Sequence, residues 1–326
     1  MTPREDTTRS YLIGLGALTA AVFILLGLVT PNFLTFGNLN SMGFQFPEFG
    51  LLALAVLPTM ISGGIDLSVV AVANLAAIIA AVVMKASGEW GWLAIPLALL
   101  VGAACGLLNG FLVAVLRLPP ILATLGTLQL FSGIGIVITR GPAITGLPSW
   151  YSEYGIVSVL GIVPLPLVVF AAVALLLGLL LRATPMGVRL RLYGSNPVAA
   201  RFAGMRETSL ILSIYSVAGV IAAMAGLVVL ARVNSANADY GASYLLLVIL
   251  INILAGVSPF GGFGTVTGVV LAVLLLQLVS SGLNFLAFNA FARDLFFGGL
   301  LVVVMSVRVI AERARLSLPF RKVRTS

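Results

Sequence analysis

Three side chains in the apolar run Thr265 to Phe285 could act together. Gln277, Ser281 and Asn284 stand at i, i+4 and i+7, a spacing that puts them on one face of a helix. Amides and hydroxyls offer hydrogen-bond donors and acceptors without fixed charge. That suits an uncharged, hydroxyl-rich solute, and it equally suits hydrogen bonds between helices. Asn74, Asn109, Thr124, Thr127, Gln129 and Asn252 also lie inside apolar runs, and both readings apply to them.

Other chemistries lack their residues. The chain has no histidine, so the usual general base near neutral pH and the commonest metal ligand are missing. Cys105 is the single cysteine, which allows no disulfide framework within the chain. With no clustered acids either, a membrane-embedded enzyme is remote. Lys85 and Lys322 are the two lysines, and neither belongs to a P-loop. Any use of ATP would need a partner chain.

Two loop motifs carry chemistry of another kind. In Ser62-Gly63-Gly64-Ile65-Asp66-Leu67-Ser68 the glycines permit a tight turn, and Asp66 or Ser68 can cap the following helix. An acid near a membrane boundary can also line a pathway or hold a hinge, which makes Gly63, Gly64, Asp66 and Ser68 candidates for that role. In the second motif Asn196 is a good N-cap, Pro197 fits the first helical position and Gly204 is a good stop. The helix between them, with Ala200 and Arg201 at its centre, is too short to be stable alone. It is either an interfacial helix with Arg201 at the lipid headgroups or a peg that docks into another protein and passes on its motion.

The elements that must hold these residues follow from composition. Of 326 residues, 60% are hydrophobic and 9% charged, against roughly 25% charged in soluble domains. Mean hydropathy is +1.17. A soluble enzyme, a nucleic-acid binder and a disordered chain are excluded, leaving a polytopic membrane protein in contact with lipid. Its runs are long and continuous, which predicts an all-α fold and not a barrel. At roughly 20 residues per span, about ten transmembrane helices are expected. They run Tyr11 to Thr30, Phe44 to Ser62, Ser68 to Met84, Trp92 to Leu116, Pro120 to Thr139, Val157 to Leu181, Ser209 to Leu230, Ser243 to Val257, Thr265 to Phe285 and Leu295 to Ile310.

Charge sets the orientation. Lys85, Arg140, Arg232 and Arg293 fall in one set of loops and the other fourteen of the 18 basic residues in the other set. The positive-inside rule then places both termini in the cytoplasm. A single membrane domain over 11–310 is expected between a cytoplasmic tail at 1–10 and a basic one at 311–326, with one substantial cytoplasmic loop near 183–208. Glu48 and Asp66 are the acids nearest the span interiors, and both sit toward span ends in this assignment. That scarcity argues against an ion-coupled carrier. In the fourth span Gly102, Gly106 and Gly110 form two overlapping G-x-x-x-G steps, a flat strip for close helix packing. Asn109 lies on an adjoining strip.

Several motifs together resemble the permeases of bacterial ABC importers that take up ribose and related monosaccharides. They are SGGIDLS at Ser62, GLLNGFLVAVLRLPPILATLGTL at Gly106, GSNPVAARFAGM at Gly194, GASYL at Gly241 and SPFGGFGTVTG at Ser258. Val70 departs from the glycine usual after DLSV, and Asn252, Ile253 and Val257 replace a segment richer in glycine and alanine. The resemblance implies a non-catalytic subunit of the inner membrane, paired with a second permease chain, identical or homologous. Cytoplasmic ATP-binding subunits would carry the ATP and Mg, so this chain needs no cofactor, and a periplasmic sugar-binding protein would deliver the solute. The segment Asn196 to Gly204 would be the coupling helix. Sub-branches of the family import rhamnose, autoinducer 2 or polyols. The alternative is a stand-alone secondary carrier for a small neutral hydrophilic solute.

Overall fold

The computed structural model describes the backbone of residues 3–316 and the side chains of 9–289, 291–307 and 310. The tails expected over 1–10 and 311–326 lie outside the described side chains, apart from Arg9 and Ser10. The helices are α1 (Pro3–Val29), α2 (Phe36–Ile61), α3 (Val69–Ala86), α4 (Ala94–Ala114), α5 (Pro120–Thr139), α6 (Ser149–Ser152) and α7 (Leu165–Ala183). There follow α8 (Pro185–Ser195), α9 (Pro197–Phe202), α10 (Glu207–Val233), α11 (Tyr244–Leu254), α12 (Val266–Phe285) and α13 (Ala290–Leu316). Two small antiparallel pairs complete the fold. The strand β1 (Ile144–Thr145) pairs with β4 (Ser235–Ala236), and β2 (Ser158–Val159) with β3 (Val163–Pro164).

A helix stands at each of the ten expected spans, but 8 are long and apolar enough to cross a membrane among the described residues. They are α1 from Arg9, α2, α3, α4 with its preceding turn, α5, α7, α10 and α12. With 11 residues, α11 reaches about 16 Å, well short of a hydrocarbon core about 30 Å thick. The helix α13 is not among the 8. Two starts also shift. The α2 helix begins at Phe36, ahead of the expected Phe44, and Val157 to Pro164 contains the β2–β3 hairpin, so α7 begins at Leu165.

Packing follows apolarity and small residues. The α10 helix lies along α4, α2 and α3, and these make the interior with α12. By contrast α1, α5 and α7 expose faces of Leu, Ile and Val, the surface a bilayer covers. The α4–α10 contact is close because a side chain is missing on both sides. A Cβ on Gly106 would strike the Tyr215 carbonyl, and Cβ atoms on Gly102 and Gly219 would strike each other's backbone. Gly110 meets Leu212.

Connections sort to two ends. At one end the 62–68 turn, the 258–264 turn and α8 touch, through Gly63, Gly194 and Gly261. At the other, Lys85 Nζ donates to the Thr145 carbonyl at 2.8 Å and Tyr151 Oη to that of Leu227 at 2.7 Å. Trp150, Tyr151 and Tyr154 stack edge to face there.

Candidate functional site

The α9 end is built from turns that stop helices sharply. After α2, Gly63 takes φ +87°; its amide donates to the Met60 carbonyl and that of Gly64 to Thr59, both at 3.0 Å. This is the double bond pattern that closes a helix on a left-handed glycine. The same pattern ends α9, where Gly204 donates to Arg201 at 3.0 Å and Met205 to Ala200 at 3.1 Å. At its start the Asn196 side chain accepts from the Ala199 amide at 2.9 Å. Ala200 is buried, while Arg201 pairs with Glu207 at 3.0 Å. Val198 and Phe202 point away from the fold, 62% and 89% exposed.

This short helix is tied to the membrane helices through backbone. The Gly262 amide donates to the Ile61 carbonyl at 2.8 Å. A Cβ on Gly194 would collide with that same Ile61 carbonyl, and one on Gly261 with the Gly194 carbonyl. Asn196, two residues after Gly194, is the N-cap of α9.

From the 62–68 turn a buried chain of hydrogen bonds runs inward. The Asp66 carboxylate accepts from the Ser68 amide at 2.9 Å and from its hydroxyl at 2.7 Å. Asn109 Nδ2 donates to the Ser68 hydroxyl at 2.7 Å, and Asn109 Oδ1 accepts from Thr127 Oγ1 at 2.6 Å. The chain joins the turn to α4 and α5. Burial pushes the Asp66 carboxyl above its ordinary range, while bonds from Ser68 and Asn109 pull the other way. Of the two expected caps, Asp66 accepts the amide of Ser68 at the start of α3, and the Ser68 side-chain cap is not formed. Ser68 holds the N-cap position of α3 without a side-chain cap bond, because its hydroxyl serves Asp66 and Asn109 instead.

At the opposite end the polar stripe of α12 meets a second stripe on α2. Gln277, Ser281 and Asn284 face Asn38, Ser41 and Gln45 across a cleft of about 200 Å³. Ser281 Oγ lies 3.5 Å from Asn38 Oδ1, and Gln45 Nε2 donates to Ser41 Oγ at 3.0 Å. Asn284 Oδ1 accepts from Arg293 at 2.8 Å. The structure thus leaves Gln277, Ser281 and Asn284 at one end of the bundle. Gly63, Gly64, Asp66, Ser68 and Asn109 gather at the other, beside Asn196, Pro197, Ala200, Arg201 and Gly204.

One buried group was misplaced by sequence reasoning. With α2 starting at Phe36, Glu48 sits in mid-helix, buried, and forms an ion pair with Arg232 of α10. Tyr244 Oη lies 3.5 Å from its second oxygen. A lone acid in an apolar helix was the available signal. Among the remaining polar groups, Asn74 donates to the Ala238 and Tyr240 carbonyls at 2.8 Å each. Asn252 donates to Ala53 and Val248 at 3.0 Å. These are ties between elements. No group of three or more His, Cys, Asp or Glu able to hold a metal occurs among the described residues.

Comparison with known proteins gives a consistent match. Residues 38–305 match the family described as the permease component of branched-chain amino acid transport systems. The chain is 34% identical over 298 residues to the autoinducer 2 import system permease protein LsrD of Enterobacter sp. (strain 638), covering 88% of this chain and 89% of that protein. It is 34% identical over 305 residues to the protein of that name from Klebsiella pneumoniae, covering 90% of each. With the Yersinia pseudotuberculosis serotype O:3 protein, identity is 32% over 306 residues, 91% of this chain and 90% of the relative. No solved structure matches the chain.

Proposed function

Because the chain belongs to the family of permease components of branched-chain amino acid transport systems, we propose that it is the transmembrane subunit of an ATP-driven importer for a monosaccharide or similar small polyhydroxylated solute. It is a multi-pass inner-membrane protein and a transport subunit, not an enzyme. In this reading the α9 end faces the cytoplasm, where separate ATP-binding subunits dock and hold ATP and Mg. A second permease, identical or homologous, completes the pathway, and a periplasmic binding protein delivers the solute. The relatives' names make autoinducer 2 the first solute to test.

The observation that carries the reading is the construction of α9. A helix of 6 residues cannot persist by itself, yet this one is capped at both ends and presents Val198 and Phe202 outward. Exposed apolar residues on a rigid peg suit a partner's groove. The backbone contact at Gly194 passes any push on α9 to Ile61 and the 62–68 turn. From there the Asp66–Ser68–Asn109–Thr127 chain reaches α4 and α5. Closure of the ATP-binding subunits would thereby tilt helices and switch access from one side of the membrane to the other.

Replacing residues 196–204 with a flexible linker tests this in the reconstituted complex. Solute-stimulated ATP hydrolysis should be lost while the chain remains inserted. Full stimulation by the linker variant would remove α9 from the coupling path.

A further inference from the structure

The cleft between α2 and α12 has a feature that helix packing does not explain. Gln277 is 3% exposed, lines the cleft and has no side-chain hydrogen-bond partner among the described residues. The fully enclosed side-chain atoms without a partner among the described residues lie elsewhere, on Asn40, Tyr215 and Asn252, so the Gln277 amide opens onto the cleft, where water or a ligand can satisfy it. Two other groups lining the cleft, one on each wall, also keep free capacity. Gln45 uses its nitrogen on Ser41, leaving its carbonyl oxygen, and Asn284 uses its oxygen on Arg293, leaving its nitrogen.

We infer that this cleft is a solute-binding site within the permease itself, built for a small neutral molecule with several hydroxyl groups. Six neutral donors and acceptors line it: Asn38, Ser41, Gln45, Gln277, Ser281 and Asn284. No charged side chain lines it among the described residues, and the Arg293 guanidinium is bonded to Asn284 at its mouth, so a charged solute seated at the depth of Gln277 would lose its hydration without a counter-charge beside it. A volume of about 200 Å³ equals about seven waters at roughly 30 Å³ each, the size class of one pentose. Gln277 stands two turns in from the end of α12, about 12 Å deep. Asn38, Asn284 and Phe285 form the mouth, at the end opposite α9. Met42 and Phe285 add apolar surface against which the carbon face of a sugar ring can lie.

The inference rests on the transport reading and deepens it, and its test needs no ATP-binding subunit. Purified full-length chain in detergent is titrated with D-ribose, L-rhamnose and xylitol, with ribose 5-phosphate as the charged control, and thermal unfolding is followed. At least one neutral compound should raise the melting temperature saturably, and the phosphate ester should not. Gln277→Met keeps length and removes both hydrogen-bonding atoms; it should raise the half-saturating concentration about tenfold. If that variant does not fold, Gln45→Met on the facing wall supplies the same comparison. The site is overturned if no neutral compound acts, if the phosphate ester acts equally, or if the folded variant responds like the wild type. A linker variant of α9 that still couples would sink the coupling role while leaving this result standing, and the converse also holds.

Discussion

Glu48 on α2 and Arg232 on α10 form an ion pair inside the helix bundle, with the glutamate buried and the arginine side chain 32% exposed. Removing one partner of a buried pair costs about 3–5 kcal/mol, because the other charge is left uncompensated. The two removals are not equivalent here. Arg232→Met strands a buried carboxylate, whereas Glu48→Gln leaves an arginine that can reach the membrane surface. Thermal unfolding should therefore show a larger loss for Arg232→Met than for Glu48→Gln. The double variant should be more stable than Arg232→Met alone. Equal losses that add in the double variant would mean the pair does not interact energetically.

Asn109 bridges the 62–68 turn to α5 by donating to Ser68 and accepting from Thr127. Hydrogen bonds between membrane helices average about 0.6 kcal/mol and reach about 1.7. Asn109→Leu breaks two and should destabilise by about 1–3 kcal/mol on that scale. Thr127→Val breaks one of the same two. A double-mutant cycle should thus give a loss smaller than the sum of the singles, and strict additivity would show that the 2.6 Å contact carries no energy.

Asp66 supplies the pH test. Burial raises its carboxyl above the ordinary 3.8, so the folded chain holds this proton more tightly than the unfolded one. The linked stability is present in full below 3.8 and is lost as pH rises through the raised value. Relative to Asp66→Asn, which cannot titrate, the wild type should lose stability as pH climbs from that point toward neutrality. Parallel pH profiles for the two proteins would contradict the shift.

The glycine strip of α4 separates close packing from simple helix propensity. Gly106 lies against the Tyr215 carbonyl, while Gly133 on α5 has nothing within 4 Å. Alanine is favoured over glycine in a helix by about 0.8–1.0 kcal/mol, so Gly133→Ala should be neutral or stabilising. Gly106→Ala should destabilise, since α10 backbone must move to admit the methyl group. Melting temperatures that shift the same way for both would place α4 and α10 further apart than they stand here.

Much of this was readable from residue order, and the exceptions share a cause. Pro119-Pro120 and Arg140-Gly141 punctuate the fifth span, and α5 runs from Pro120 to Thr139 as expected. The α12 stripe showed as a periodicity. Its counterpart on α2 did not, because Asn38, Asn40 and Ser41 made the stretch before Phe44 too polar to look like part of a span. Two residues that line the cleft, Asn38 and Ser41, therefore helped to hide the start of the helix that carries them, and the same error moved Glu48 from mid-helix to an end. The Asp66-to-Thr127 chain was visible only as separate polar residues. A hydrogen bond between positions 41 residues apart, as from Asn109 to Ser68, leaves no local pattern.

Phe202 decides between the two readings of α9. A lipid-facing helix would set Arg201 among the headgroups, but Arg201 is paired with Glu207 at 3.0 Å, which lowers its value as a membrane anchor. Phe202 is 89% exposed, so its removal takes little packing from this chain, and surface substitutions of that kind usually stay within about 0.5 kcal/mol. At an interface, losing an aromatic anchor typically costs about 2 kcal/mol or more. Phe202→Ser should consequently leave thermal unfolding of the isolated chain unchanged and weaken co-elution of the ATP-binding subunit at least about tenfold. Phe202→Leu should restore much of that association because it refills an apolar pocket. If instead Phe202→Ser lowers membrane insertion or stability while the ATP-binding subunit still co-elutes fully, the residue faces lipid, and motion must enter the bundle by another route.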